Sequence, residues 1–219
     1  MSSHLDLEEQ EQLDELKHFW KQYGNAITWL LIVVMGAYAS WNGYQYWERQ
    51  QSAKASALFD EVERTAATGD AAKMERAWND MKERFPGTTF AAQSALLAAR
   101  VFQQADKVDA AQGALKWASD NASDEASAQL ARLRLANLQV QQKSLDEALK
   151  TLSKPFQASF AGLAADVQGD ILVAQNKTPE AIKAYTDAWR QLADNADYRR
   201  LVAAKLNALG IDPNTSKAP

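Results

Sequence analysis

The sequence predicts an all-α protein, with a single N-terminal transmembrane helix followed by an α-solenoid of antiparallel helix pairs. Three observations predict it. Alanine supplies 41 of 219 residues while only 9 Gly and 5 Pro interrupt the chain, a composition that favours helix and argues against sandwiches and barrels. The 26 residues between Lys21 and Glu48 carry no charged side chain. Beyond them, small and apolar residues recur at intervals of 37 and 33, the period of stacked supersecondary units.

Composition also excludes much chemistry. There is no cysteine, so disulfides, thiolate catalysis and Cys-based metal sites are ruled out. The two histidines, His4 and His18, both precede the apolar run, which removes imidazole acid–base chemistry from everything after it. The net charge of −4 makes a phosphate-binding surface a poor expectation. No catalytic residue, cofactor, metal or nucleic-acid partner is expected, and the composition points to a binding protein rather than an enzyme.

Residues 1–23 read as a short polar arm, with Leu13, Leu16, Trp20 and Tyr23 on one helical face. Residues 24–47 read as the transmembrane helix. Its densest part is residues 27–39, bracketed by Phe19, Trp20 and Tyr23 on one side and Trp41, Tyr44, Tyr46 and Trp47 on the other. From Trp20 to Trp47 a helix covers about 40 Å, a bilayer with its interfaces, and Trp and Tyr rings prefer those interfaces. A buried core helix of a soluble protein would waste these aromatic girdles, and the better rival is a cleaved leader ending at Ala37-Tyr38-Ala39, which would release a soluble periplasmic repeat scaffold. Against it, six acids and only Lys17 and Lys21 precede the apolar run. Lys17 and Lys21 on one flank and Arg49, Lys54 and Arg64 on the other leave orientation undecided. Gly36 and Ser40 are four apart, as are Ala39 and Gly43, so Gly36, Ser40 and Gly43 form a candidate face for packing on another membrane helix.

Residues 48–210 read as a helical domain. Ala55, Leu58, Phe59 and Val62 predict a helix over 52–67, whose continuity with the spanning helix is left open. Thr68-Gly69-Asp70 breaks it, and Asp70 caps a helix that buries Met74, Trp78, Met81 and Phe85 and stops before Pro86. Then the repeat begins. Ala99, Ala136 and Gly169 are each followed two positions on by Val101, Leu138 and Ile171, and twelve on by Ala111, Ala148 and Ala181. Leu115, Leu152 and Tyr185 come next, then Ala118, Pro155 and Ala188. The small residues let paired helices approach and the larger ones fill the groove between units. Asp106, the Ser144–Glu147 capping box, Thr178 before Pro179, and Ser123-Asp124-Glu125 with acids at the positive end of a helix are the expected helix starts. Pro155 predicts an early end to the second helix of unit two. A last helix over 198–209 closes the stack at Gly210, and residues 211–219 read as a disordered tail.

This is the tetratricopeptide repeat (TPR) pattern in degenerate form, clearest in GDILVAQNKTPEAIKAYTDAW. Such arrays bind along the concave face lined by the first helix of each unit. The register places Gln93, Leu96, Arg100, Gln103 and Gln104 there from unit one. Leu130, Leu133, Asn137, Val140 and Gln141 follow from unit two, and Leu163, Asp166, Asp170 and Val173 from unit three. Asp166 and Asp170, four apart, are read as an acidic solvated face and not as a cation site. Trp78, Trp117 and Trp189 are read as core.

The run LKHFWKQYGN, then the spanning helix, then GYQYW resembles the YfgM family of bacterial ancillary SecYEG translocon subunits. The matching residues are Leu16, Lys17, Phe19, Trp20, Gly24, Asn25, Gly43, Tyr44 and Trp47, joined by RFPGTTFAAQSALLAAR at 84–100. The resemblance implies a single-pass bacterial inner-membrane protein, with a cytoplasmic N-terminal arm and the TPR-like domain in the periplasm. It implies partnership with SecYEG, with the membrane-anchored periplasmic chaperone PpiD, and with client polypeptides passed on to periplasmic chaperones.

Overall fold

The computed structural model describes residues 7–193 and 197–213. The predicted arm's residues 1–6, His4 among them, and the predicted tail's residues 214–219 lie outside the described residues. Those described hold nine helices and no strand: α1 (Leu7–Thr68), α2 (Ala71–Arg84), α3 (Thr89–Gln104), α4 (Val108–Asn121), α5 (Glu125–Gln141), α6 (Leu145–Leu152), α7 (Ala158–Ala174), α8 (Thr178–Gln191) and α9 (Asp197–Ala208). The chain falls into two units, residues 1–51 and 52–219.

The described residues of the first unit, 7–51, lie within α1. The helix is not interrupted because the first proline of the chain is Pro86. Every side chain from Trp29 to Met35 is more than half exposed. A helix apolar on all sides and buried against nothing is suited to lipid, not water, and this one is long and apolar enough to cross a membrane. Its polar side chains turn back on their own backbone: the Thr28 hydroxyl donates to the Gly24 carbonyl at 2.8 Å and the Asn42 amide to the Tyr38 carbonyl at 3.0 Å. Each thereby gains a partner that is not water. Phe19 pairs with Tyr23, and Tyr44 with Trp47, toward the two ends of the apolar stretch.

The second unit starts with the last four turns of α1, so the helix predicted over 52–67 is continuous with the apolar one. It stops at Gly69, whose φ of +69° suits a residue without Cβ. Asp70 then accepts hydrogen bonds from the Ala72 and Lys73 N–H groups. The Lys73 N–H is the largest influence holding its carboxyl below the ordinary value.

Three hairpins follow, α3/α4, α5/α6 and α7/α8, and the first helices α3, α5 and α7 also neighbour one another in that order. The core is correspondingly a chain of three clusters. Ala55 and Val62 of α1 join α2, α3, α4 and one side of α5. The other side of α5 packs with α6 and α7. The rest of α7 packs with α8 and α9. α5 sends Leu135 and Leu138 one way and Leu133 and Ala136 the other, so each unit's stability depends on its neighbours. Trp78 and Trp117 meet edge to face at 4.9 Å inside the first cluster.

The turns inside the hairpins differ from the sequence expectation. Ser144 makes no side-chain cap bond, Thr178 is the first helical residue after Lys177 at the cap position, and Lys107 occupies the cap that Asp106 was expected to hold. Each first helix instead ends on one left-handed residue: Asp106 (φ 56°), Lys143 (φ 61°) and Asn176 (φ 60°). The following N–H reaches back across the turn, Lys107 to Phe102, Ser144 to Gln139 and Lys177 to Leu172, at 2.8 to 2.9 Å. These turn residues are spaced 37 and 33 apart, the repeat period itself. The backbone closes each turn by satisfying late carbonyls of the first helix, and no side-chain cap bond is made at the start of the second. Asp124 does cap α5, accepting from the Ser127 N–H at 2.8 Å. α6 has eight residues where α4 and α8 have 14 each, the early end that Pro155 predicts.

Gly169 shows how close the paired helices come. A Cβ there would lie 2.4 Å from the Tyr185 ring of α8. Gly169→Ala is expected to destabilise the domain by about 1–3 kcal/mol, the usual cost of overpacking, seen as a Tm several degrees lower. Gly113→Ala on α4, where a Cβ meets nothing within 4 Å, should leave the Tm unchanged or slightly raised.

Candidate functional site

The sequence-predicted face divides into an open part and a closed part. On the open part, α3 and α5 flank a depression of about 400 Å³ lined by Leu96, Arg100, Gln103, Asn137 and Gln141, with Arg134 beside them. A neighbouring depression of about 410 Å³ shares Arg100 and adds Gln104, Leu97, Thr68 and Gly69. Five of the expected residues thus meet at one place and a sixth, Gln104, lies next to it. Gln93 is exposed on α3 but lines neither depression.

Two expected residues are corrected. Leu133 is 7 % exposed and packs with Ala136, Ala148 and Val167 between α5, α6 and α7, so it supports the face without being offered on it. Asp166 is fully buried and is not a solvated acid. It accepts the Tyr198 hydroxyl at 2.6 Å and the Lys205 ammonium at 2.8 and 2.9 Å. Asp170, half-buried, accepts the Tyr185 hydroxyl at 2.7 Å and the same ammonium at 2.7 Å. α9 therefore covers this stretch of α7, and Lys205 stands where two carboxylates would otherwise repel. Burial, then the carboxylate acceptors, push the Tyr185 and Tyr198 phenols well above their ordinary value. Tyr198 and Lys205 are seven apart, on one face of α9. That spacing was the available signal, but nothing in the local sequence says which helix the face meets.

The sequence reading missed Arg134. It lies one turn before Asn137 on α5, which places both on one face. Arg132, two residues earlier, points elsewhere: its guanidinium lies 3.7 Å from the Phe156 ring centre and donates to the Lys154 and Pro155 carbonyls, fixing the α6–α7 connection. Trp189 is partly buried against the α7–α8–α9 cluster beneath the Arg199 guanidinium.

Comparison with known proteins places this architecture. Residues 17–211 match the family of tetratricopeptide repeat-like domains. The chain is 34% identical over 210 residues to the ancillary SecYEG translocon subunit of Neisseria gonorrhoeae, covering 95% of this chain and 100% of that one. It is 28% identical over 203 residues to the protein of that name in Haemophilus influenzae, covering 93% and 98% of the two chains. With the Escherichia coli protein of that name it shares 29% identity over 183 residues, 81% of this chain and 85% of that one.

The buried cluster dictates a pH response. The folded phenols favour their neutral forms, so their contribution is intact below the ordinary tyrosine value of 10 and is lost as pH rises above it. Chemical denaturation is expected to show stability falling above pH 10, with Tyr198→Phe making that fall shallower. Lys205→Met leaves Asp166 buried without its counter-ion and should cost about 3 kcal/mol at neutral pH.

Proposed function

Because this chain belongs to the tetratricopeptide repeat-like family of ancillary SecYEG translocon subunits, we propose that it is a membrane-anchored, non-catalytic binding module. It works beside SecYEG in a bacterial inner membrane. Its repeat domain receives newly translocated polypeptides and passes them to periplasmic chaperones, with the membrane-anchored chaperone PpiD as a neighbour. The observation that carries the reading is the union, in one chain, of an apolar helix of bilayer length and an open groove lined by amides and arginines.

In this reading residues 24–47 span the bilayer once, residues 1–23 are cytoplasmic, residues 48–210 are periplasmic and 211–219 form a tail. An uncharged, all-round apolar segment is stable in lipid because its backbone is paired within the helix. Gly36, Ser40 and Gly43 supply a face for a neighbouring membrane helix. A Cβ at Gly36 or Gly43 meets nothing within 4 Å, so these positions are free of packing within this chain. Amide side chains both donate and accept, as a peptide backbone requires of its partner. The groove at Arg100, Gln103, Asn137 and Gln141 therefore suits extended polypeptide better than a compact small molecule.

Topology is testable because the chain has no cysteine of its own. In intact spheroplasts, a membrane-impermeant maleimide should label Lys177→Cys and leave Asp14→Cys unlabelled until the membrane is opened. The reverse pattern overturns the orientation, and a mature protein lacking its first 39 residues overturns the anchor. Contacts are tested by photo-crosslinking in cells. A crosslinker at Asn137 should capture secreted polypeptides during their export, and one at Gly36 should capture an integral membrane protein. Absence of export-dependent products at Asn137 would remove polypeptide receipt from the reading.

A further inference from the structure

Resting on the reading of the domain as a polypeptide-binding module, we propose that the groove between α3 and α5 selects acidic polypeptide segments, with Arg100 and Arg134 engaging their carboxylates. The chain as a whole has an excess of acids, 28 against 24 bases. The groove reverses that balance. Its lining carries two arginines and no aspartate or glutamate, and the adjoining depression that shares Arg100 has no acid either.

Both arginines are exposed, and neither has a hydrogen-bond or ion-pair partner among the described residues. Two other arginines of the domain show the contrast. Arg64 holds Glu61, and Arg132 is held by two carbonyls and the Phe156 ring. Arg100 and Arg134 thus keep all their N–H donors for a ligand, in the planar fork that matches a carboxylate. The nearest acids on the next first helix do not compete, since Asp166 and Asp170 are engaged by Lys205 under α9.

The rest of the lining fits peptide. Gln103, Asn137 and Gln141 can pair with main-chain N–H and C=O groups, and the partly buried Leu96 offers apolar contact beside them. A nucleic-acid strand would require a longer run of cations to track its phosphates. Two cations set among amides match a segment with a few carboxylates on an otherwise ordinary backbone.

The test uses the full chain in detergent micelles and two labelled ten-residue peptides, one with several Asp residues and one with Asn in their place. Fluorescence anisotropy at low salt should show the Asp peptide bound at least about tenfold more tightly, with the difference shrinking as salt is added. Arg100→Gln and Arg134→Gln should each weaken the Asp peptide about tenfold, the scale of one charge-assisted hydrogen bond. The double variant should treat both peptides alike. Both positions are exposed, so unchanged circular dichroism and Tm are expected and confirm that folding is not what was lost. Undiminished binding of the Asp peptide by the double variant overturns the proposal. Equal binding of the two peptides by the wild type overturns the acid preference and leaves polypeptide binding standing. If neither peptide binds, the acidic selection is overturned, and the Asn137 crosslink decides polypeptide receipt independently.

Discussion

The repeat domain depends on how closely two helices of one hairpin can approach. Ala99, Ala136 and Gly169 on the first helices and Ala111, Ala148 and Ala181 on the second are all buried. Their small size sets the separation, and larger neighbours such as Val101, Leu138 and Ile171 then fill the space to the next unit. Interiors packed at this density tolerate little change in volume. The Tyr185 ring lies directly on Gly169, and its hydroxyl bonds to Asp170 one residue further along α7. The same contact that brings α7 and α8 together thus also orients a carboxylate toward α9.

From that spacing follows the ordering of the first helices, and from the ordering follows the groove. α3 and α5 leave their outward residues open, and the result is a cationic, amide-rich depression. α7 presents an acidic pair at the corresponding place, and α9 covers it with a lysine and a tyrosine. A free acid beside the arginines would pair with them or repel an acidic ligand. Engaging both acids within the fold, through one ammonium and two phenols, leaves Arg100 and Arg134 without partners among the described residues, in a chain whose net charge is negative. Burying Asp166 carries a desolvation cost, which is bearable only because its oxygens are met by an ammonium and a phenol.

The N-terminal unit obeys a different constraint. Outside water a polar group needs a partner within its own helix. The backbone of α1 supplies that partner for every residue of the apolar stretch, and Thr28 and Asn42 use it as well. This explains how a segment can carry hydroxyl and amide groups and still present apolar side chains on all sides.

The sequence by itself determined the helical class, the apolar helix, the repeat period and the buried small residues. Each is encoded locally, in composition and in spacings that a helix turns into faces. It also located Arg100, Gln103, Asn137 and Gln141 on one side of their helices. The tertiary structure decided the rest. Whether Asp166 faces water or a lysine depends on a residue 39 positions away, and whether Leu133 is offered or buried depends on α6 and α7. Arg134 became part of the groove because α3 lies next to α5, while Arg132 was taken by a carbonyl pair and a ring beyond α6. The hairpin turns were closed by backbone in a left-handed conformation at Asp106, Lys143 and Asn176, three unlike residues whose shared geometry is imposed by the packing on either side. Periodicity reports what a helix does with its own side chains, whereas the partner of each side chain is set by which helices the packing brings together.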